Sequence, residues 1–378
     1  MEKLVRGEKP VGAEKVANQA LPDPDFWRGR KVLLTGHTGF KGSWLLYWLE
    51  TMGADVAGCS LPPEQPSALF PLLHNEGRLS GEIADIRDAQ QLTNLVERAQ
   101  PEIVLHLAAQ SLVRRSYADP VGTFATNVTG TNNLLQVLAK TGTARAIVVT
   151  TTDKVYKNSG DGHRFRETDP LGGEDPYSAS KAACEMVVAG WRAHFEANRC
   201  GIATARAGNV IGGGDWAEDR LFPDAVRSWS KGEILSVRRP LATRPWQHVL
   251  EPLRGYLVLA ERLASGTDLA PAYNFGPTED SATVRDVLTL AACHFGGAGI
   301  EYAETLEGPA EAEALALDPS LAASDLAISG LWGLDQTVAL TARWYRDLLG
   351  GRSGRDLCEE DCSTYFEAAN RISRGVRR

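Results

Sequence analysis

The chain has 378 residues, 43% hydrophobic and 23% charged, and 48 Asp and Glu outweigh 40 Lys and Arg to give a formal net charge of −8. That length predicts two intimately joined domains, or one large α/β domain with an added lobe. The acidic balance excludes a basic polyanion-binding surface, so no nucleic-acid partner is expected, and no apolar run reaches the roughly 18 residues that would span a membrane.

The opening 28 residues lack the apolar core of a signal peptide and read as a polar extension. KVLLTG then predicts a strand, followed by a glycine loop, the helical pattern SWLLYWLETMG and a second strand, ADVAGCSL. The rhythm continues through a short GEIADI strand, the helix DAQQLTNLVERAQ, the buried run EIVLHLAA, a long helix from about Tyr117 to Lys140, and ARAIVVTTTD. A further helix, SASKAACEMVVAGWRAHFEA, precedes the strand GIATARAGNV. Continuous apolar strands separated by helices predict a parallel sheet covered on both faces, a doubly wound α/β fold of Rossmann type. Beyond it the pattern loosens into Gly-, Trp- and Pro-rich loops with short helices near 219–231, 250–265, 283–295 and 335–349. LEPLRGYLVLAERL and AYNFG are expected to return to the main sheet. The expected division is therefore an extension (1–28), a dinucleotide-binding domain (29–205 plus about 248–276), a smaller substrate-binding domain (about 206–247 plus 277–350) and a tail (351–378). Six scattered cysteines read as reduced thiols of a cytoplasmic protein. Only Cys358 and Cys362 are close, without a second ligand pair, so no metal site is expected.

Three features carry chemistry. The first is TGHTGFKG, where Gly36, Gly39 and Gly42 follow a strand and open a helix. Such glycines allow a tight turn, close backbone approach to a pyrophosphate and close helix packing, so His37, Thr38, Phe40 and Lys41 enter the cofactor set with them. The usual acidic ribose ligand after the second strand is missing, Ser60 standing in that region. With Lys41 and His37 adding positive character, NAD and NADP both stay open from the residues alone. Asp85 and Ile86 are placed to meet the adenine, and Leu107, Ala108 and Ala109 to line the pyrophosphate and nicotinamide ribose.

The second feature is Tyr177 and Lys181, four residues apart on one helical face, where a lysine ammonium lowers a phenol's pKa and prepares a base for an alcohol losing hydride. The third is TTTDKVY, in which Asp153 and Lys154 stand side by side at a strand's carboxyl end.

These motifs resemble the extended short-chain dehydrogenase/reductase superfamily over about residues 29 to 350. More narrowly, GHTGFKGSWL, AAQSLVRRSY, TTDKVY, ETDPLGGEDPYSASK, RAGNVIGGGDWAEDRLFPD and RPWQHVLEPLRGYL are similar to the CDP-glucose 4,6-dehydratases. The resemblance implies NAD as cofactor, CDP-glucose as substrate, a role in deoxysugar biosynthesis, and a homodimer joined through a four-helix bundle. It implies that Thr152 binds the sugar 4-hydroxyl, that Asp153 protonates the departing 6-hydroxyl, and that Lys154 stands where relatives carry a glutamate base. Lysine is a base only when neutral; otherwise it orients the substrate or stabilises an enolate. Tyr177 and Lys181 complete the catalytic set, and Asn127 joins the cofactor set. Gln110, Ser111, Asn209, Arg220, Arg244 and His248 form the expected substrate set, Arg244 matching the arginine that binds the pyrophosphate in relatives. His248 also reads as a hydrogen-bonded structural histidine, and Trp216 and Trp246 as a cover over the substrate or as lobe core. A nucleotide-sugar 4-epimerase, or a 4,6-dehydratase of another sugar nucleotide, is the competing reading; an epimerase needs no acid for the 6-hydroxyl, which Asp153 supplies.

Overall fold

The apolar β-branched runs form the expected strands. A computed structural model describes residues 19–74, 82–279, 281–296, 298–303 and 314–375. Its main sheet contains Lys31–Thr35 (β1), Asp55–Ser60 (β2), Glu82–Ile83 (β3), Ile103–His106 (β4), Ala146–Thr150 (β5), Gly201–Ala207 (β6) and Ala272–Phe275 (β7). All pairings are parallel, in the order β7-β6-β5-β4-β1-β2-β3. The order reverses between β1 and β4, and ligands of open α/β sheets bind in the crevice at that switch.

Side chains alternate across the sheet. Val32 and Leu34 of β1 join the core under Phe40–Thr51 (α1) and Leu250–Ala264 (α3), whereas Leu33 faces Leu92, Leu95, Leu134 and Leu138 on the other side. Between them in sequence, Pro176–Ala197 (α2) starts with proline in its first turn and an Asp175 cap accepting from the Ser178 amide. That cap fixes where the helix begins, and so where Tyr177 and Lys181 face.

AYNFG returns to the sheet as β7, and LEPLRGYLVLAERL packs beneath it as α3. The long helix expected from Tyr117 to Lys140 is instead broken. Val113–Ala118 ends at Asp119, whose φ of −136° precedes Pro120, and a new helix starts there with Asp119 capping the Gly122 amide. The residue before a proline is pushed out of the helical region, which explains the break. Ala125–Thr129 then makes one wider π turn before Gly130–Thr141 resumes α geometry.

The chain's two ends, expected to be appendages, are packed where described. Trp27 is fully buried and its indole donates to Glu261 Oε1 at 2.6 Å; Gln19 Nε2 donates to Ser329 Oγ at 2.7 Å. The helix Leu334–Leu349 (α4) is followed by Gly354–Gly375 (α5), whose Leu357, Cys358 and Tyr365 are buried, with the Tyr365 hydroxyl donating to Glu251 Oε2 at 2.8 Å. Apolar residues at helical spacing, hidden in a sequence rich in charge, make α5 part of the core. Cys358 and Cys362 are free thiols within that packing. Residues 1–18 and the basic end at 376–378 lie outside the described residues. Among the described residues no helix is long and apolar enough to cross a membrane, and no cluster of His, Cys, Asp and Glu has metal-binding geometry.

Candidate active site

A cavity of about 820 Å³ opens along the carboxyl ends of β1, β4, β5 and β6. The glycine loop forms one wall. Gly36 has φ +77°, and a Cβ there would fall 2.7 Å from the Ala108 amide, so only glycine lets the loop lie against β4. A Cβ on Gly42 would fall 2.0 Å from the Gly36 carbonyl oxygen. No side chain caps α1, whose N-cap is Gly39, so its first amides face the cavity as an anion-binding end. The cradle therefore fits a dinucleotide pyrophosphate. Where the acidic ribose ligand was missed, Ser60 and Thr38 hydroxyls share a 2.7 Å hydrogen bond, and Thr38 also donates to the Leu61 carbonyl at 2.8 Å. Asp85 and Ile86 line the same wall, and an Arg87 fork paired to Asp85 holds that carboxyl below the ordinary range.

Lys41 reaches further in. Its ammonium donates to the Tyr256 hydroxyl at 3.2 Å, and burial, with Arg220 and Lys181 adding repulsion, lowers its pKa to about 7 against the pull of Asp153.

The second wall is the end of β5. Thr152 Oγ1 and Lys154 Nζ donate to Asp153 Oδ1 at 2.9 and 3.3 Å. Asp153 Oδ2 is buried with no hydrogen-bond partner among the described residues, and the side chain as a whole is 1% exposed. A Cβ on Gly208 would lie 3.0 Å from that oxygen, so glycine keeps room beside it. A buried acceptor left open at a cavity wall is placed to take a hydrogen bond from a molecule that enters the cavity.

Tyr177 and Lys181 face the same cavity from α2. Their electrostatics differ from the sequence-based expectation. Lys181 Nζ donates to the Thr150 carbonyl at 3.0 Å, and burial pushes the Tyr177 phenol up to about 12; the groups that pull it down are a hydrogen bond with Thr152 and the charge of Arg220. Burial also lowers the Lys181 pKa. Desolvation dominates both groups because it penalises the phenolate and the ammonium alike.

The far end of the cavity carries arginines. Arg220 Nη2 donates to Ser111 Oγ at 3.1 Å and Nη1 lies 3.7 Å from Asp215 Oδ2. Arg244 is buried and donates to the Thr243 carbonyl at 2.8 Å. Asn209, Gln110, Trp216 and Trp246 also line this stretch. The two tryptophans contribute to the lobe's packing as well: Trp246 donates to the Ala282 carbonyl at 3.0 Å and Trp216 meets Tyr345 edge-on.

Three expected site residues do not reach the cavity. The His37 ring is buried against Phe70 and beside Gly58, where a Cβ would approach it to 2.7 Å. The backbone turn at Gly36 directs it under β2. Asn127, on the π turn, donates to the Gln110 carbonyl at 3.0 Å and accepts from the Gln110 amide at 2.8 Å, so it braces the loop that carries Gln110. His248 is fully buried between Trp44 and Trp332, and burial with the nearby Arg343 lowers its pKa to about 3. The remaining expected side chains, including Leu107, Ala108, Ala109 and Phe40, do line the cavity.

Other lining residues were not singled out from sequence: Arg114, Arg238 and Arg239, with Asp219 pairing to Arg114 at 3.0 Å and Arg238 at 3.5 Å. The adjacent arginines in LVRRSY and SVRRP were the available signal. Glu64 also lines the wall near the missing ribose acid and pairs with Arg115 at 2.5 Å.

The model of the GDP-mannose 4,6 dehydratase family matches residues 33–326. A CDP-glucose 4,6-dehydratase of Salmonella typhimurium is 41% identical over 357 residues, 92% of this chain and 99% of that one. A dTDP-glucose 4,6-dehydratase of the same organism is 29% identical, covering 69% and 75% of the two chains. Among solved structures, the dTDP-glucose 4,6-dehydratase DesIV of Streptomyces venezuelae, with NAD and TYD bound, superposes with a TM-score of 0.72 at 25% identity, covering 86% of this chain and 99% of that one.

Proposed function

The chain belongs to the GDP-mannose 4,6 dehydratase family, and from that premise we propose that it converts CDP-glucose to CDP-4-keto-6-deoxyglucose and water, as an NAD-dependent nucleotide-sugar 4,6-dehydratase of the extended short-chain dehydrogenase/reductase type. The observation that carries the reading is the unpartnered Asp153 Oδ2, buried in the same cavity as Tyr177 and Lys181. A site that only removed and returned hydride at C4 would have no use for that oxygen.

The chemistry requires a fixed order. The C5 hydrogen becomes acidic only once C4 is a ketone, so oxidation precedes loss of the 6-hydroxyl. NAD, when bound, supplies the acceptor that takes hydride from C4 and returns it to C6. Thr152 holds the sugar 4-hydroxyl and Tyr177 takes its proton. Lys181 holds the nicotinamide ribose, and Thr152 and the charge of Arg220 are the groups that favour the phenolate. Asp153 delivers a proton through Oδ2 to the leaving hydroxyl. Lys154 orients the Asp153 carboxyl through their 3.3 Å contact and stands where relatives carry the group that takes the C5 proton. Gly36, Gly39 and Gly42, with the amides opening α1, hold the cofactor pyrophosphate, while Ser60, Asp85 and Ile86 flank its adenosine. Arg220, Arg244 and Asn209 hold the substrate's diphosphate end, the arginines through permanent charge and a bidentate fork.

We further propose a homodimer. Val121, Phe124 and Met186 are 79%, 39% and 58% exposed on the neighbouring helices Pro120–Phe124 and α2. An apolar stripe on adjacent helices fits a twofold bundle. Light scattering at micromolar concentration should give twice the chain mass, and a monomer mass would contradict the dimer. The free cysteines fit a reducing, cytoplasmic setting.

Incubation with CDP-glucose and mass spectrometry tests the activity. Dehydration removes the mass of one water, whereas a 4-epimerase leaves the mass unchanged. Faster loss of water from UDP-, dTDP- or GDP-glucose than from CDP-glucose would overturn the substrate assignment and leave the reaction standing.

A further inference from the structure

Beneath the catalytic turn lies a buried ionic network that meets the cavity wall at Thr151, while Glu185, Arg206 and Tyr156 lie behind it. Glu185, on the same face of α2 as Tyr177 and Lys181, receives four donors. Its Oε1 accepts from Thr151 Oγ1 at 2.5 Å and Arg206 Nε at 3.0 Å; its Oε2 accepts from Thr204 Oγ1 at 2.7 Å and Arg206 Nη2 at 2.8 Å. Arg206 Nη1 donates to the Tyr156 hydroxyl at 2.8 Å, which in turn donates to Asn274 Oδ1 at 2.6 Å. Glu185 is 5% exposed and Arg206 4%.

The network's connections have a pattern. Thr151 and Tyr156 flank the segment 152–155, which holds Thr152, Asp153 and Lys154, and both are tied to one Glu185–Arg206 pair. The helix that carries Glu185 also carries Tyr177 and Lys181, and Lys181 binds the carbonyl one residue before Thr151. We propose that Glu185 and Arg206 form a positioning clamp that sets the Asp153 carboxyl in place relative to the Tyr177–Lys181 helix, so that the acid for elimination and the base for oxidation meet one sugar. The inference rests on the dehydratase reading above. A buried ion pair is weak evidence for stability by itself, since desolvation offsets much of its attraction; a positional role gives a reason for its four-donor arrangement. Errors of about 1 Å in such placement cost up to about 10²-fold in rate.

Three substitutions separate positioning from general stability. Thr151→Val and Tyr156→Phe each cut one tether beside the turn. Thr204→Val cuts an equivalent hydrogen bond to the same carboxylate, away from the turn. In single turnovers with CDP-glucose, Thr151→Val and Tyr156→Phe should slow elimination about tenfold, so that reduced cofactor accumulates, with KM changed less than about twofold. Thr204→Val should lower the melting temperature as Thr151→Val does, yet leave elimination at the wild-type rate. Thr151→Ser, which restores the hydroxyl, should recover the rate. The clamp is overturned if Thr204→Val slows elimination equally, or if Thr151→Val and Tyr156→Phe eliminate at the wild-type rate. Wild-type protein that does not dehydrate CDP-glucose would instead defeat the functional reading, so the two failures are distinguishable.

Discussion

The two ends of the cavity are built differently. At the reaction end, Asp153, Tyr177 and Lys181 are buried and each is held by strand ends or by a helix that is itself bonded to them. At the nucleotide end Arg244 is buried, but Arg220 is 34% exposed, and Arg114 and Arg238 share one carboxylate on a loop, Asp219, whose φ is +57°. Buried, interlocked groups keep a geometry through a multistep reaction. Half-exposed arginines gain little from their ion pairs with neighbouring acids and exchange them readily for a diphosphate. On the proposed reading, chemistry sits on rigid elements and part of the binding on more adaptable ones, and variants at the two ends should separate into effects on kcat and effects on KM.

The largest effect is expected at the reaction end. Tyr177→Phe removes the proposed proton acceptor while keeping the ring, and should lower kcat about 10²–10⁴-fold with no reduced cofactor appearing in a single turnover. At the other end, Arg244→Met should raise KM for CDP-glucose about 10- to 100-fold through loss of charged hydrogen bonds, with kcat nearly unchanged. Steady-state kinetics of both variants check the separation; a kcat defect in Arg244→Met as large as that in Tyr177→Phe would erase it.

The smallest effect concerns Lys41, which belongs to the reaction end but is held there at a cost. Its folded pKa is about 7, against 10.5 for an ordinary lysine. Below about pH 7 folded and unfolded chains both carry the proton, and the buried charge is fully penalised. Between about 7 and 10.5 only the unfolded chain binds it, so this residue makes stability rise with pH across that window. Lys41→Met should therefore be more stable than wild type at pH 7, with the difference shrinking toward pH 9 by at most about 1.4 kcal/mol per pH unit. Denaturant titrations at several pH values measure it, and a pH-independent difference would contradict the assignment.

Legibility in the sequence followed the same division. Strands with continuous apolar runs, the glycine loop and the Tyr177–Lys181 spacing depend on local pattern, and those features announced the fold and the reaction end. What depends on three-dimensional company was less legible. His37 sits inside the glycine motif, yet the turn at Gly36 sends its ring under β2, where Gly58 leaves room for it. His248 followed the promising string RPWQ, yet two tryptophans from distant segments enclose it. The break before Pro120 was readable from the proline itself, whereas the π turn at Asn127 answers to contacts with α2. Glu185 carried only the faint sign of standing four residues beyond Lys181. Helix α5 hid its core role because its charged residues read as a solvated tail, while Leu357, Cys358 and Tyr365 mark its buried face.

The central claim is that Asp153 delivers a proton to the departing hydroxyl through its open Oδ2. Asp153→Asn keeps the shape and the contact to Thr152 but has no acidic proton to give. Followed by absorbance through a single turnover with CDP-glucose, the variant should reduce its cofactor at close to the wild-type rate and then stall, with elimination slowed about 10²–10⁴-fold. Turnover at the wild-type rate, or a stall before any cofactor is reduced, would contradict the account.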